Sequence, residues 1–205
     1  MSALRWTLIL LTCAIVCCAP VQARSTATST KVTLEPSSPA QETVGRVVTL
    51  FINWKGNQLS PSFTNQVAQY IDYNLMSSLV LGNDYWAKLS PAQQQSFITA
   101  FRRLIEQRYY IRWHKIFKHG KLSFTGETHS TDQIVVKTEI AVKDEQTVVN
   151  WKLRSVQGSY KVVSLTTDHR DLLEILRPRF DKVFSQRGFN GLMSWLNHKA
   201  TTSSH

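Results

Sequence analysis

The sequence predicts an α+β fold in which helices cover a curved antiparallel sheet of about four strands. Apolar residues recur every three or four positions between residues 43 and 119, a period typical of helices with one buried face. Between residues 121 and 167 they alternate with polar residues, a period typical of strands with short antiparallel connections. Helices gathered on one face of such a sheet form an α+β domain.

Capping signals place the predicted helices of the first half. The first helix begins near Thr43. The second begins at Ser60, where an N-cap residue precedes a proline at the first helical position, and continues to Gly82. A capping box at Ser90 opens a long third helix that extends to about Gly120.

Four strands and a helical C-terminus follow. The final helix is expected to begin at Asp171, to be disturbed at Pro178, and to be separated from a short last helix by Gly188. The strands are expected at residues 121–125, 134–143, 149–154 and 160–167.

Residues 1–23 are predicted to be a secretory signal peptide. Arg5 precedes an apolar run at residues 8–19, which is too short to span a bilayer, and residues 21–23 form a cleavage site. All three cysteines lie in this segment, so the mature chain would contain no disulfide. Lipidation of Cys13 or Cys17 is a weaker alternative, because the residues before them suit it poorly.

The rest of the chain is predicted to form one domain. Residues 24–42, rich in Ser, Thr and Pro, predict a flexible linker, residues 43–199 the domain, and residues 200–205 a disordered tail. The 205 residues, 42% of them hydrophobic, suffice to bury a core without a disulfide. The net charge of +10 favours an acidic partner or surface.

Motifs for catalysis and metal binding are missing from the sequence. It contains no nucleotide-binding loop, no hydrolase elbow and no zinc-protease motif. No two of its six histidines lie three or four residues apart, so no metal site is predicted. Asp72, between Tyr70 and Tyr73, is a candidate general base, although most such carboxylates have a structural role.

A basic stretch extends from Arg102 to Lys121, with seven Lys or Arg residues against Glu106 alone. Interleaved aromatic residues would suit nucleic acid, but an exported protein meets little of it, so no nucleic-acid partner is expected. A solvated helix face is the simplest interpretation. The functional interpretation that we favour is attraction to anionic phosphate head groups or to an acidic partner.

A series of ordered motifs extends from Leu59 to Leu196. The clear ones are Tyr70-Ile71-Asp72-Tyr73, Leu79-Val80-Leu81-Gly82, Tyr85-Trp86, Ser90-Pro91-Ala92-Gln93-Gln94-Gln95, Phe97, Phe101-Arg102, Leu104-Ile105 and Tyr109; the looser ones are Tyr160-Lys161-Val162, Arg177, Phe180 and Gly188 to Leu196. Their order and spacing resemble the MlaC phospholipid-shuttle family, also called the toluene-tolerance auxiliary family. The chain departs from that pattern at Ser164, His169 and Asp171.

The resemblance implies a periplasmic carrier, a monomer that is not an enzyme and uses no cofactor, with a phospholipid as cargo. Such a carrier moves lipid between an outer-membrane lipoprotein complex and an inner-membrane ABC transporter complex and so bears on outer-membrane lipid asymmetry. It holds the lipid tails in an apolar cavity between sheet and helices. Two other classes stay open: an isomerase or hydrolase that uses Asp72, and a non-catalytic interaction protein whose own side chains fill the cavity.

The implied cavity would lie between the inward sheet face and the apolar helix stripes. Arg108 and Arg112 are candidates for the lipid phosphate at its mouth. Ordinary core packing is the alternative for each apolar residue, because periodic apolar stripes usually mean packing. The candidate lipid-binding residues are Leu75, Leu79, Phe97, Phe101, Ile105 and Tyr109 on the helices and Val136, Ile140, Val149, Trp151 and Leu153 on the sheet.

Overall fold

The computed structural model describes residues 35–55, 58–167 and 169–202. Within these ranges six helices and a five-stranded antiparallel sheet form the predicted α+β fold. The predicted signal peptide and residues 24–34 of the predicted linker lie outside the described residues. The elements are α1 (Pro39–Asn53), α2 (Pro61–Ala68), α3 (Tyr73–Leu81), α4 (Asn83–Trp86), α5 (Pro91–Phe117), β1 (Lys121–His129), β2 (Ile134–Val142), β3 (Glu145–Val156), β4 (Ser159–Thr167), β5 (Arg170–Asp171) and α6 (Leu172–Thr201).

The sheet is a meander in which each strand pairs with the next, from β1 to β5. Thr125 in β1 and Val163 in β4 are extra residues that shift the register, and such bulges bend the strands. Burial alternates along β2 and β3, so that one face of the sheet is covered. The fifth strand, β5, was not among the four predicted, because two residues are too short to show a period.

Two predicted boundaries shift because the helices are longer than their apolar stripes. Helix α1 begins at Pro39 rather than near Thr43, since the Ser38 side chain accepts a hydrogen bond from the Gln41 N–H at 3.1 Å. Residues 39–42, assigned to the linker, are therefore helical. At the other end α6 extends to Thr201, two residues into the predicted tail.

The single helix predicted from Ser60 to Gly82 is wrong, because the chain forms two helices, α2 and α3, with a break at residues 69–72. The break is fixed by β4: the Asp72 N–H donates to the Val162 carbonyl at 2.9 Å, and the Val162 N–H donates to the Tyr70 carbonyl at 2.8 Å. Asp72 then caps α3 by accepting a hydrogen bond from the Leu75 N–H at 2.9 Å. Asp72 therefore lies at a helix start rather than within a helix.

The two long helices, α5 and α6, pack on each other. The predicted capping box opens α5, whose Phe97 and Phe101 rings meet Phe180 of α6 edge-on at centroid distances of 5.9 and 6.0 Å. Pro178 lies within α6 without ending it. Gly188 interrupts the helix, as predicted, with a φ of 62° that suits glycine.

Candidate functional site

The inward face of the sheet lies beneath the helices, as the alternation predicts. The indole N–H of Trp151 donates to the Thr138 hydroxyl at 3.0 Å, and its ring stacks on Phe117 of α5 at 5.7 Å. This face is fully covered, since no predicted sheet residue is more than 2% exposed. These residues are Val136, Ile140, Val149, Trp151 and Leu153.

An apolar space, here called the sheet–helix gap, separates the sheet from α1, α3, α5 and α6. Its volume is about 10 Å³, hardly enough for one water molecule. The cavity expected between sheet and helices is thus nearly closed in this conformation. The gap is lined by Val47, Ile71, Met76, Trp113, Trp151, Val162, Ser164, Leu165 and Leu172.

A wider space of about 380 Å³, here called the mouth cleft, adjoins the gap. The two share Trp113, Leu165 and Leu172 as a common wall. Three arginines line the mouth cleft, and no carboxylate does within the described part of the chain. Its lining consists of Tyr109, Arg112, Trp113, Ile116, Leu165, Thr167, Arg170, Leu172, Ile175 and Arg179.

A second cleft of about 590 Å³, here called the side cleft, lies between α5 and α6 next to the mouth cleft. Both clefts are bordered by Tyr109, Arg112 and Arg179. The side cleft adds three further cations, and one of them, Arg108, donates to the Thr202 carbonyl at 2.5 Å. The three are Arg108, Lys115 and Lys199.

Tyr109 lies half-buried between the two clefts. Burial raises the pKa of its hydroxyl, although the nearby cations Arg179, Arg112 and Arg108 favour the phenolate. The hydroxyl is therefore neutral at physiological pH, and it can donate a hydrogen bond to an anion that the arginines attract.

The structure separates the predicted helix residues into three groups. Phe97, Phe101 and Ile105 are fully buried, and the two phenylalanines pack against α6 rather than lining the gap. Leu75 is half-buried and Leu79 is 36% exposed, and both border a separate cleft near the β2 start. Tyr109 alone of the six reaches the mouth cleft.

Of the predicted phosphate ligands, Arg112 lines both clefts, whereas Arg108 lines only the side cleft. The sequence reasoning missed Arg170 and Arg179, which complete the rim of the mouth cleft. They come from β5 and from α6, outside the basic stretch of α5. The density of charge along the sequence does not indicate Arg170 and Arg179, because only the fold brings them next to Arg112 of α5.

A cleft of about 860 Å³, lined by both polar and apolar side chains, lies at Asp72. Both carboxylate oxygens are engaged: Oδ1 accepts from the Leu75 N–H, and Oδ2 lies 3.0 Å from Arg154 Nε in an ion pair without hydrogen-bond alignment. The hydroxyl of Tyr73 is turned inward and lies 2.7 Å from that of Tyr110. Asp72 thus holds a helix start and an arginine in place.

Comparison with known proteins decides the family. The family model described as MlaC protein matches residues 50–198. The chain belongs to the MlaC family. No curated protein sequence matches the chain.

The MlaC fold is also found in a solved structure, that of a phospholipid-binding protein from Ralstonia solanacearum in complex with a phospholipid. The two share 16% sequence identity with a TM-score of 0.68, over 79% of this chain and 94% of that one. At this identity the likeness establishes the fold alone.

Two of the three positions at which the sequence departs from the MlaC pattern, Ser164 and Asp171, meet at the corner between β4 and α6. The buried Ser164 hydroxyl donates to Asp171 at 2.9 Å, and Lys152 Nζ lies 2.9 Å from the same carboxylate. Burial opposes ionisation, but the bonds from Lys152 and Ser164 outweigh it and hold the pKa of Asp171 below its ordinary value. The carboxylate also caps α6, accepting from the N–H groups of Leu173 and Glu174.

No helix in residues 35–55, 58–167 and 169–202 is long and apolar enough to cross a membrane. Among these residues, no group of three His, Cys, Asp or Glu side chains could hold a metal ion.

Proposed function

We propose that this MlaC-family protein is a periplasmic phospholipid carrier that acts without a cofactor. The tails enter between sheet and helices at the sheet–helix gap, and the head group stays in the mouth cleft. The observation that carries the proposal is the common wall of Trp113, Leu165 and Leu172, where the apolar interior meets a rim of arginines. Fold likeness to a phospholipid-bound protein supports it.

The free energy of exposing lipid tails explains why a carrier needs this interior. Each CH₂ group costs about 0.8 kcal/mol in water, so two long acyl chains cost on the order of 20 kcal/mol. Because the gap measures only about 10 Å³, tail binding requires the helices to move away from the sheet. When no lipid is bound, the closed helices keep the apolar face of the sheet covered. The five predicted sheet residues would then form the wall that the tails contact; they are Val136, Ile140, Val149, Trp151 and Leu153.

We also propose that the protein exchanges lipid with one complex at each of the two membranes. The family resemblance implies exchange with an outer-membrane lipoprotein complex and with an inner-membrane ABC transporter complex. Such a route requires export, which the predicted signal peptide at residues 1–23 would provide.

The first test is native mass spectrometry of the protein purified from the periplasm without detergent, followed by lipid extraction. An added mass of one phospholipid, recovered in the extract, is the expected result. A bare protein mass, even after incubation with phospholipid vesicles, would contradict the carrier function.

Leu165→Trp should block the path between mouth cleft and gap. The larger side chain fills space that a tail needs, so we expect lipid occupancy to fall by most of its value while overpacking costs about 1–3 kcal/mol of stability. Val148→Trp is the control, since that valine is exposed on the outer face of β3 and borders neither the gap nor the mouth cleft. Occupancy is read by native mass spectrometry and folding by circular dichroism. Unchanged occupancy in a folded Leu165→Trp variant would exclude this path.

A further inference from the structure

The mouth cleft and the side cleft form one continuous cationic surface. Six basic side chains line it, and no Asp or Glu lines either cleft within the described residues. None of the six forms an ion pair with a carboxylate in that part of the chain. They are Arg108, Arg112, Lys115, Arg170, Arg179 and Lys199.

The cleft around Asp72 differs from this surface, because carboxylates line it beside its cations. In the 860 Å³ cleft on α3 and α5, Arg102 pairs with Glu106 at 2.6 Å and Arg154 pairs with Asp72 at 3.0 Å. Among the described residues, the mouth cleft and the side cleft thus combine six cations with no carboxylate, whereas the cleft at Asp72 contains two carboxylates, Asp72 and Glu106, among its cations.

The chemistry of this surface distinguishes between phospholipid classes. Arginine binds a phosphate through paired hydrogen bonds, which every phospholipid can accept. A zwitterionic head group also brings an ammonium, which needs an acceptor and finds arginines and lysines around it. An anionic head group brings glycerol or a second phosphate instead. The Tyr109 hydroxyl can donate a hydrogen bond to either group, and the cations of the side cleft can bind the glycerol oxygens or the second phosphate.

We infer that the protein selects anionic glycerophospholipids, such as phosphatidylglycerol, over zwitterionic ones, such as phosphatidylethanolamine. The inference rests on the proposed function, because it assigns the head group to the mouth cleft. Arg112 and Arg179 are the residues that set the selectivity, since they border both clefts and lie on facing helices.

The test uses lipid-free mature protein incubated with vesicles of equal phosphatidylglycerol and phosphatidylethanolamine content. The protein is separated from the vesicles, and its bound lipids are quantified by mass spectrometry. We expect bound phosphatidylglycerol to exceed bound phosphatidylethanolamine by roughly five to one, against one to one in the vesicles, which is the upper range for one exposed ion pair. Arg112→Gln with Arg179→Gln should abolish the enrichment. Arg103→Gln with Arg187→Gln, which removes equal charge from exposed positions outside both clefts, should preserve it.

The outcomes separate the inference from the function on which it rests. Bound lipid in the vesicle ratio would overturn the selectivity and leave the carrier function standing, whereas no bound lipid would overturn both. Enrichment that survives in the Arg112 and Arg179 variant, or is lost in the control variant, would overturn the assignment to these arginines. Inorganic phosphate, added at constant ionic strength, should not abolish the enrichment, because phosphate has no acyl tails. If phosphate did abolish the enrichment, the cationic surface would be a site for free phosphate instead.

Discussion

Asp171 is a residue whose charge serves three contacts at once. It bonds Ser164, pairs with Lys152 and caps α6, in a position that is 4% exposed. Asparagine keeps an oxygen that can cap α6 but loses the charge that Lys152 and Ser164 contact. Because hydrogen bonds to charged groups are worth about 1.5–3 kcal/mol, Asp171→Asn should lower the free energy of unfolding by about 2 kcal/mol at pH 7. Urea denaturation measures this, with the exposed Asp144→Asn as the control, for which no change is expected.

The same residue predicts a pH dependence. Since the folded pKa of Asp171 is lower than the unfolded one, its contribution is fully present above the unfolded pKa, about 4, and is lost as the pH falls through the folded pKa. The difference between wild type and Asp171→Asn should therefore be constant from pH 7 to 5 and should shrink in more acidic solution. A difference that is the same at pH 3 as at pH 7 would contradict the assignment of an ionised Asp171.

Single residues also show what the sequence can and cannot predict. The start of the last helix at Asp171 follows from its local pattern, and the structure confirms it. Its partners Ser164 and Lys152 belong to β4 and β3, so no spacing along the chain indicates them. Arg170 and Arg179 escaped prediction for the same reason, because the rim of the mouth cleft forms only when α5, β5 and α6 meet.

Among the elements, the junction between α2 and α3 departs most from its apolar period. The stripe of three- and four-residue spacings continues from Phe63 to Leu79 as though the helix were unbroken. Backbone hydrogen bonds to Val162 of β4 interrupt it, and they connect positions about ninety residues apart in sequence. Propensity and period are local, so a tertiary contact of this kind overrides them without leaving a signal.

Substitutions at Asp72 test whether this junction is structural or catalytic. Asp72→Asn keeps an oxygen to cap α3 but loses the ion pair with Arg154, so it should cost less than about 1 kcal/mol. Asp72→Ala also loses the cap and should cost about 1 kcal/mol more. Guanidinium denaturation measures both, and bound lipid should persist in each. A folded Asp72→Asn variant that binds no lipid would show that the carboxylate acts in the site.

For the molecule as a whole, the fold class and the sheet face followed from periodicity, but the size of the interior did not. Alternation predicts which sheet residues turn inward, and all five are buried. It carries no information on how far the helices stand from the sheet, and that distance decides between a filled core and a cavity. The gap of about 10 Å³ is nearly a filled core, so the tail site that we propose requires a second, open arrangement of the same elements.

Tryptophan fluorescence can locate the tails in that open arrangement. Trp113 and Trp151 line the gap, whereas Trp86 borders the 860 Å³ cleft and Trp54 stacks on Phe63 at 4.8 Å. Phospholipids brominated on their acyl chains quench tryptophans that they touch, so loading the protein with them should quench its emission. Trp113→Phe should remove a large part of that quenching, because this ring lies at the wall between mouth and gap. Trp54→Phe and Trp86→Phe should leave it unchanged. If Trp86→Phe removed the quenching instead, the tails would lie in the Asp72 cleft, and the interior assigned to them would be ordinary core.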